Sequence, residues 1–204
     1  MNATISSIGV YHPKREVYNS FFEKSLDTSD EWIRERTGIE RRFFAAPNEF
    51  TSDMCVKAAE NLSANYNKDL ADVDFIIVAT TTPDQIVPSV ASQVQARLKI
   101  SHAGAIDISC ACAGFCNGLI LAKGLIASGS HKKVLVFGAD TLSKVTDFTD
   151  RTTCILFGDA AGAVIVEAST ENHLLNTITE TNGHYGKDLY LTSSKTHIND
   201  EEVI

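Results

Sequence analysis

The chain has 204 residues, 44% hydrophobic and 22% charged, with 26 acidic against 18 basic side chains and a formal charge of -8. That composition suits a folded globular protein and excludes global disorder, while the acidic balance argues against a nucleic-acid backbone as the main partner. The longest apolar runs, at 75–79 and 134–137, are far too short to cross a bilayer, and no basic stretch with an apolar core opens the sequence, so the expected location is cytoplasmic with no membrane partner.

Strand-like and helix-like periodicities alternate along the chain. Residues 5–10 predict a first strand, stopped by His12-Pro13. Residues 29–36 predict a short helix with Ser29 as its cap and Asp30 and Glu31 in its first turn. A longer helix runs to about Tyr66, with Thr51 or Ser52 as its expected cap. Residues 74–80 form an apolar run of the kind that is covered on both faces of a sheet. Pro88 and Ser89 open a helix to about Leu98, and residues 103–109 read as a strand. A helix over 113–128 stops at Gly129, and residues 133–138 give a fourth strand. Residues 153–157 and 161–166 read as two strands joined at Gly158-Asp159. Residues 174–180 and 189–192 predict a hairpin around Asn182-Gly183, and Val203-Ile204 read as the start of a further element. The order is that of an α/β fold with a mixed, largely parallel sheet.

Five cysteines, an odd number in a chain that reads as intracellular, make a disulfide framework improbable. Cys110, Cys112 and Cys116 are clustered as C-x-C-x3-C, which matches no zinc or iron–sulfur spacing, and no metal site is expected. Cys112 lies where a strand turns sharply into a helix rich in small residues. The unpaired N–H groups of a helix start favour a thiolate, the form of cysteine that attacks carbonyls. A small buried thiol is the alternative at this point. Gly114, Gly118 and Gly124 are expected to let the helix lie close to neighbouring backbone.

Four separated segments resemble the β-ketoacyl-acyl-carrier-protein synthase III family of the thiolase-like superfamily. They are Asp107-Ile108-Ser109-Cys110-Ala111-Cys112-Ala113-Gly114-Phe115; Thr28 to Ile33 with Arg36 to Ile39; Asp150-Arg151-Thr152 with Phe157 to Ala163; and Gly183-His184-Tyr185-Gly186. The resemblance implies a thiolase-like fold, a mixed sheet with covering helices, of which this chain is the first half plus the start of the second. Residues 1–170 would be the N-terminal half, with the nucleophile elbow. Residues 171–204 would be a strand hairpin and the start of a linking region, ending before the C-terminal half. It implies a starter condensing enzyme: Cys112 takes an acyl group from acyl-CoA, and malonyl-acyl-carrier protein then decarboxylates and attacks the thioester. No cofactor is implied beyond acyl-CoA as substrate, and a homodimer is expected. Trp32 and Arg151 would sandwich the CoA adenine with Thr28 and Arg36 in support, although an ordinary salt bridge is an equal reading of Arg36. Val87, Leu156, Phe157 and Leu189 would line the acyl pocket.

The segment from Pro83 to Ser89 corresponds to a loop that closes the partner's pocket in the family. Many relatives carry Phe where this chain has Val87, so a primer longer than acetyl, or branched, is expected. The family's second-half His and Asn match no segment here, and His184 reads as structural or pocket-edge. On resemblance the helix that follows Cys112 belongs in a buried central layer, which this chain alone leaves open. Two other readings stay in play: a priming ketosynthase of secondary metabolism, of quinolone or polyketide type, and a non-catalytic truncated subunit.

Overall fold

Two apolar layers, one on each face of a five-stranded sheet, hold most of the molecule together. The computed structural model describes residues 1–171, 173–186, 188–192, 197–198 and 201–202. The chain divides into two units, Met1–Leu174 and Leu175–Ile204.

In the first unit the elements are β1 (Asn2–Tyr11), β2 (Arg15–Tyr18), a 3-10 turn (Asn19–Lys24), α1 (Asp30–Thr37), β3 (Arg41–Phe44) and α2 (Thr51–Tyr66). There follow β4 (Phe75–Ala79), α3 (Val90–Arg97), β5 (Gly104–Ile108), a 3-10 turn (Ala111–Ala113), α4 (Gly114–Ala127), β6 (Lys133–Thr141), a 3-10 turn (Leu142–Lys144) and β7 (Asp159–Ser169). The sheet order is β1-β7-β6-β4-β5. β4 runs parallel to β5 and β6, whereas β7 is antiparallel to both β6 and β1. The mixed sheet with covering helices is the fold class read from the sequence.

The period-two alternation of the strands sorts the core. Ile76, Val78, Leu135, Phe137 and Ile165 pack beneath α2 and α3, while Ile77, Val134, Val136, Val164 and Val166 pack beneath α4. A third cluster lies outside the sheet: Val17, Phe22, Ile33, Phe44, Cys154 and Ile155, flanked by Trp32 and Phe148. It joins the excursion between β1 and α2, in which β2 pairs with β3 from Arg15↔Phe44 to Tyr18↔Arg41, to the segment between β6 and β7 that carries Phe148, Cys154 and Ile155.

Several boundaries differ from expectation. Residues 153–157 form no strand. The Asp150 carboxylate accepts the Thr152 N–H and both threonine hydroxyls, and the Cys154 N–H bonds the Asp150 carbonyl, so side-chain bonding wins a β-prone stretch for a turn. α2 is capped neither by Thr51 nor by Ser52, whose hydroxyls bond Thr82 O and Asp84; instead the Asp53 carboxylate accepts the Phe50 N–H at 2.7 Å. Ser29 does cap α1, accepting from Trp32 N at 3.1 Å.

In the second unit the expected hairpin arms, residues 175–180 and 189–192, carry no strand. Asn182 caps a 3-10 turn, Gly183–Tyr185, with its side chain accepting the His184 N–H at 3.1 Å, so the Asn-Gly pair starts a turn of helix, not a hairpin. Short strands β8 (His197–Ile198) and β9 (Glu201–Glu202) pair antiparallel. Val203 and Ile204 lie outside the described residues.

Candidate active site

The site is built where β5 ends. Beyond Ile108 the chain passes Ser109 and Cys110 into the 3-10 turn that holds Cys112, and α4 starts two residues later at Gly114. Ala111 adopts φ +44°, a left-handed conformation that disfavours a side chain by about 1 kcal/mol or more. This strained corner presents Cys112 at the surface, two residues before the amino end of α4.

Two glycines press α4 onto the sheet behind the corner. A Cβ on Gly114 would meet the Ala79 Cβ at 3.0 Å, and one on Gly118 would meet Val136 Cγ1 at 2.9 Å. Gly124 differs from expectation: nothing stands within 4 Å of a Cβ built there, because it sits on the outer face. That face of α4, with Cys116, Leu121 and Gly124, is exposed.

The five thiols are not equivalent. Burial pushes the Cys55 thiol well above its ordinary value, with the Asp84, Asp107 and Asp140 charges adding to it. Burial also raises Cys154. Both are held protonated and enclosed, whereas Cys110, Cys112 and Cys116 are exposed.

A second cluster forms at Trp32, in the first turn of α1. The Arg36 guanidinium, one turn on, lies 4.8 Å from the Trp32 ring centroid, and that of Arg151 lies at 5.1 Å. The structure therefore brings Trp32, Arg36 and Arg151 together from segments more than a hundred residues apart. Arg151 donates to the Asp27 backbone carbonyl and reaches its carboxylate at 3.5 Å. Thr28, between Asp27 and the Ser29 cap, has a buried Oγ1 with no hydrogen-bond partner among the described residues. An aromatic ring with two guanidinium groups over it is an arrangement that fits a ligand with a flat heterocycle and phosphates.

Two devices that sequence reasoning missed hold this cluster. Phe148, three residues before Arg151, packs on Phe44 at 5.5 Å and on Phe21 and Phe22 at 6.3 and 6.5 Å between ring centroids. Arg42 is buried and donates to Asn19 Oδ1 at 2.9 Å and to Ile155 O at 2.8 Å, tying β3 to the turn after Arg151. Its burial lowers the guanidinium below its ordinary value. The doubled Phe21-Phe22 and Phe43-Phe44 were the available signal. Within the Arg151 turn, hydrogen bonds from the threonine hydroxyls hold the Asp147 and Asp150 carboxyls below the usual carboxylate range.

The expected acyl-pocket residues are spread more widely. Leu156 is 45% exposed and Phe157 is half-buried after the Arg151 turn. Val87 is 81% exposed on the segment before α3, and Leu189, 72% exposed, belongs to the second unit. His184 is exposed in the 3-10 turn of that unit. No group of three or more His, Cys, Asp or Glu side chains suited to a metal ion occurs among the described residues, and no helix there is long and apolar enough to cross a membrane.

A family profile described as 3-oxoacyl-[acyl-carrier-protein (ACP)] synthase III matches residues 106–183. The chain is 52% identical over 203 residues to beta-ketoacyl-[acyl-carrier-protein] synthase III 2 of Halalkalibacterium halodurans, covering 99% of this chain and 61% of that protein. It superposes on the crystal structure of beta-ketoacyl-[acyl carrier protein] synthase III from Thermus thermophilus with a TM-score of 0.87 at 40% identity, covering 96% of this chain and 61% of the other. It is also similar to the priming β-ketosynthase of the R1128 polyketide biosynthetic pathway, with a TM-score of 0.81 at 35% identity, covering 84% and 51% respectively. The chain thus spans about three fifths of the length of the curated relatives it matches. With a strained cysteine corner on a sheet of this topology and about half of all positions shared with such relatives, the chain is similar to about three fifths of the length of the 3-oxoacyl-[acyl-carrier-protein] synthase III proteins it matches.

Proposed function

We propose that this chain carries the acyl-accepting centre of a starter condensing enzyme of fatty-acid synthesis. The observation that carries the reading is the Cys112 corner: an exposed thiol on a strained turn immediately ahead of α4. The Cys112 thiolate attacks the carbonyl carbon of acyl-CoA, the carbon–sulfur bond to CoA breaks, and the acyl group stays on Cys112 as a thioester while CoA leaves as its thiolate. The Cys112 backbone N–H is the proposed donor to the oxyanion formed on the way. Trp32 and Arg151 would take the adenine between them once the Arg151 guanidinium, 5.1 Å from the ring centroid, swings outward to open the gap, with Arg36 and Thr28 beside it. Leu156, Phe157 and Val87 would bound the acyl chain.

In the second step malonyl-acyl-carrier protein loses carbon dioxide, and its carbanion attacks the carbonyl carbon of the Cys112 thioester, forming a carbon–carbon bond as the bond to sulfur breaks and Cys112 leaves as its thiolate. That step draws on a His and an Asn of the family that no segment of this chain matches, so condensation is proposed for a protein that supplies them. The proposed assembly is a cytoplasmic homodimer needing no cofactor beyond its acyl-CoA substrate. The likeness to the R1128 priming ketosynthase favours a second reading, priming of a secondary-metabolite chain, which shares the Cys112 step and differs in the acceptor.

Intact mass before and after incubation with acetyl-CoA tests the reading. A single acetyl adduct is expected, lost in Cys112→Ser and blocked by prior alkylation with iodoacetamide. No adduct with acetyl-CoA or with longer acyl-CoAs would overturn it in favour of a non-catalytic subunit.

A further inference from the structure

A cavity of about 490 Å³ opens between the end of β1, the start of β2 and the chain that runs from β3 into α2. It is lined by neither Cys112 nor the Trp32, Arg36 and Arg151 side chains. Its walls are held in place. The Tyr11 hydroxyl donates to Glu49 Oε1 at 2.7 Å, and the Lys57 ammonium of α2 donates to the same oxygen at 2.5 Å and to the Tyr11 hydroxyl at 3.0 Å. His12 stacks on Phe43 with 3.9 Å between ring centroids, so the connection from β1 to β2 is fixed against β3. The loop after β3 is fixed in turn by Lys144, whose ammonium donates to the Ala46 and Pro47 carbonyls at 3.0 and 3.1 Å.

The charged groups of these walls divide into used and unused. The acids are used. Glu49 is buried against Lys57 and Tyr11, while Asp53 accepts the Phe50 N–H at 2.7 Å and pairs with Arg97 at 2.8 Å. Two cations are not. Lys14 is exposed and has no carboxylate or hydrogen-bond partner among the described residues. The Arg15 guanidinium lies against aromatic rings alone, 5.7 and 5.6 Å from the Phe21 and Phe44 centroids. The exposed Asn48 amide adds a further free donor. An ammonium and a guanidinium fork on neighbouring residues, with no acid left to neutralise them, are the complement of a tetrahedral dianion. The pocket keeps this character within a chain whose formal charge is -8.

We infer that this cavity is a second anion site, which takes a phosphate group between Lys14 and Arg15 with the Asn48 amide as a further donor. The volume leaves room for a small organic part, so the phosphate is either free or a monoester. The site is separate from the acyl-transfer reading and does not depend on it.

Phosphorus NMR titrations of inorganic phosphate and of glycerol 1-phosphate test this in the wild type, Lys14→Gln, Arg15→Lys and Arg151→Ala. At least one probe is expected to bind the wild type with a Kd below about 1 mM. Lys14→Gln is expected to weaken it about tenfold, because a charge-assisted bond is lost. Arg15→Lys keeps the charge, loses the fork and is expected to weaken it several-fold. Arg151→Ala is expected to leave it unchanged. Lys14→Gln alters an exposed side chain with no partner, and it decides the matter alone if Arg15→Lys, which also leaves Phe21 and Phe44, fails to fold. Tighter binding of the monoester identifies an esterified occupant and tighter binding of phosphate a free one; either supports the inference. Three results overturn it: neither probe binding below about 1 mM, binding that survives Lys14→Gln intact, or binding lost in Arg151→Ala, which would assign the anion to the Trp32 cluster. No acylation is measured, so the fate of the acyl-transfer reading leaves each of these results unchanged.

Discussion

The Cys112 corner and the Trp32 cluster reach their geometry by opposite routes. The corner is made by backbone: one left-handed alanine, a buried sheet behind it, and two glycines that let α4 touch Ala79 and Val136. The Trp32 cluster is made by side chains from two separated segments, gathered by an aromatic cluster and a turn crowded with hydroxyl bonds. Backbone-made sites are carried by contiguous sequence and fail when the core fails. Side-chain-made sites loosen piece by piece, and their ligand affinity is expected to fall before the fold does.

Removing the keystone of the side-chain-made region gives the largest effect. Phe148→Ala empties a half-buried aromatic position and is expected to cost about 2–3 kcal/mol, toward the low end for such truncations. CoA affinity falls with it, while acylation of Cys112 by a short thioester lacking the nucleotide persists. Thermal unfolding and the two acyl donors measured side by side check this. If both donors fail equally, the two regions are not separable.

The backbone-made region is probed by Gly118→Val. The added atoms collide with Val136, and overpacking of this kind costs about 1–3 kcal/mol. Acylation from both donors should fall together, the reverse of the Phe148 pattern. Arg151→Ala removes one guanidinium from Trp32 and is expected to weaken CoA binding by several-fold to about tenfold, with little change in melting temperature. Titration of CoA against the fluorescence of Trp32, the only tryptophan, reads this directly. Gly124→Ala is the foil to Gly118: open space awaits the methyl group, so a helix-interior alanine is expected to stabilise by about 0.5–1 kcal/mol.

The smallest effect is a pH dependence. Asp147 and Asp150 have carboxyls lowered by the hydrogen bonds of Thr149, Thr152 and Thr153. A lowered folded value stabilises above the unfolded pKa, near 4. That stabilisation is lost as pH falls through the folded value. Trp32 fluorescence is therefore expected to change below about pH 4 before the sheet melts, and Asp150→Asn should remove most of that early phase.

The same contrast explains what was legible in the sequence. β4, β6 and α4 announce themselves because runs such as Phe75–Ala79 are apolar on both faces of a covered sheet. Ser29 was legible as a cap because a short hydroxyl before Asp30 and Glu31 has one strong local use. β2 and β3 were not, since Arg15–Tyr18 and Arg41–Phe44 are four-residue strands that mix charge with aromatics and gain their stability from a cluster no window displays. Residues 153–157 misled because Thr, Cys, Ile and Leu favour a strand until Asp150, three residues earlier, claims their donors. At the site, Cys112 was visible from local pattern and Trp32 and Arg151 from resemblance. Phe148 and Arg42 depend on partners more than a hundred residues away, and only the folded chain reveals them.

Arg42 leaves a trace beyond packing. Its guanidinium is met by Asn19 and by two backbone carbonyls, and no carboxylate pairs with it among the described residues. Carbonyl dipoles orient around a cation without cancelling it, so the third cluster keeps a net positive interior within a chain that is acidic as a whole. Replacing that buried cation by an apolar side chain would leave the Asn19 side chain and two backbone carbonyls without their donor, whereas Arg36 and Arg151 stand at the rim, the latter beside the Asp27 carboxylate.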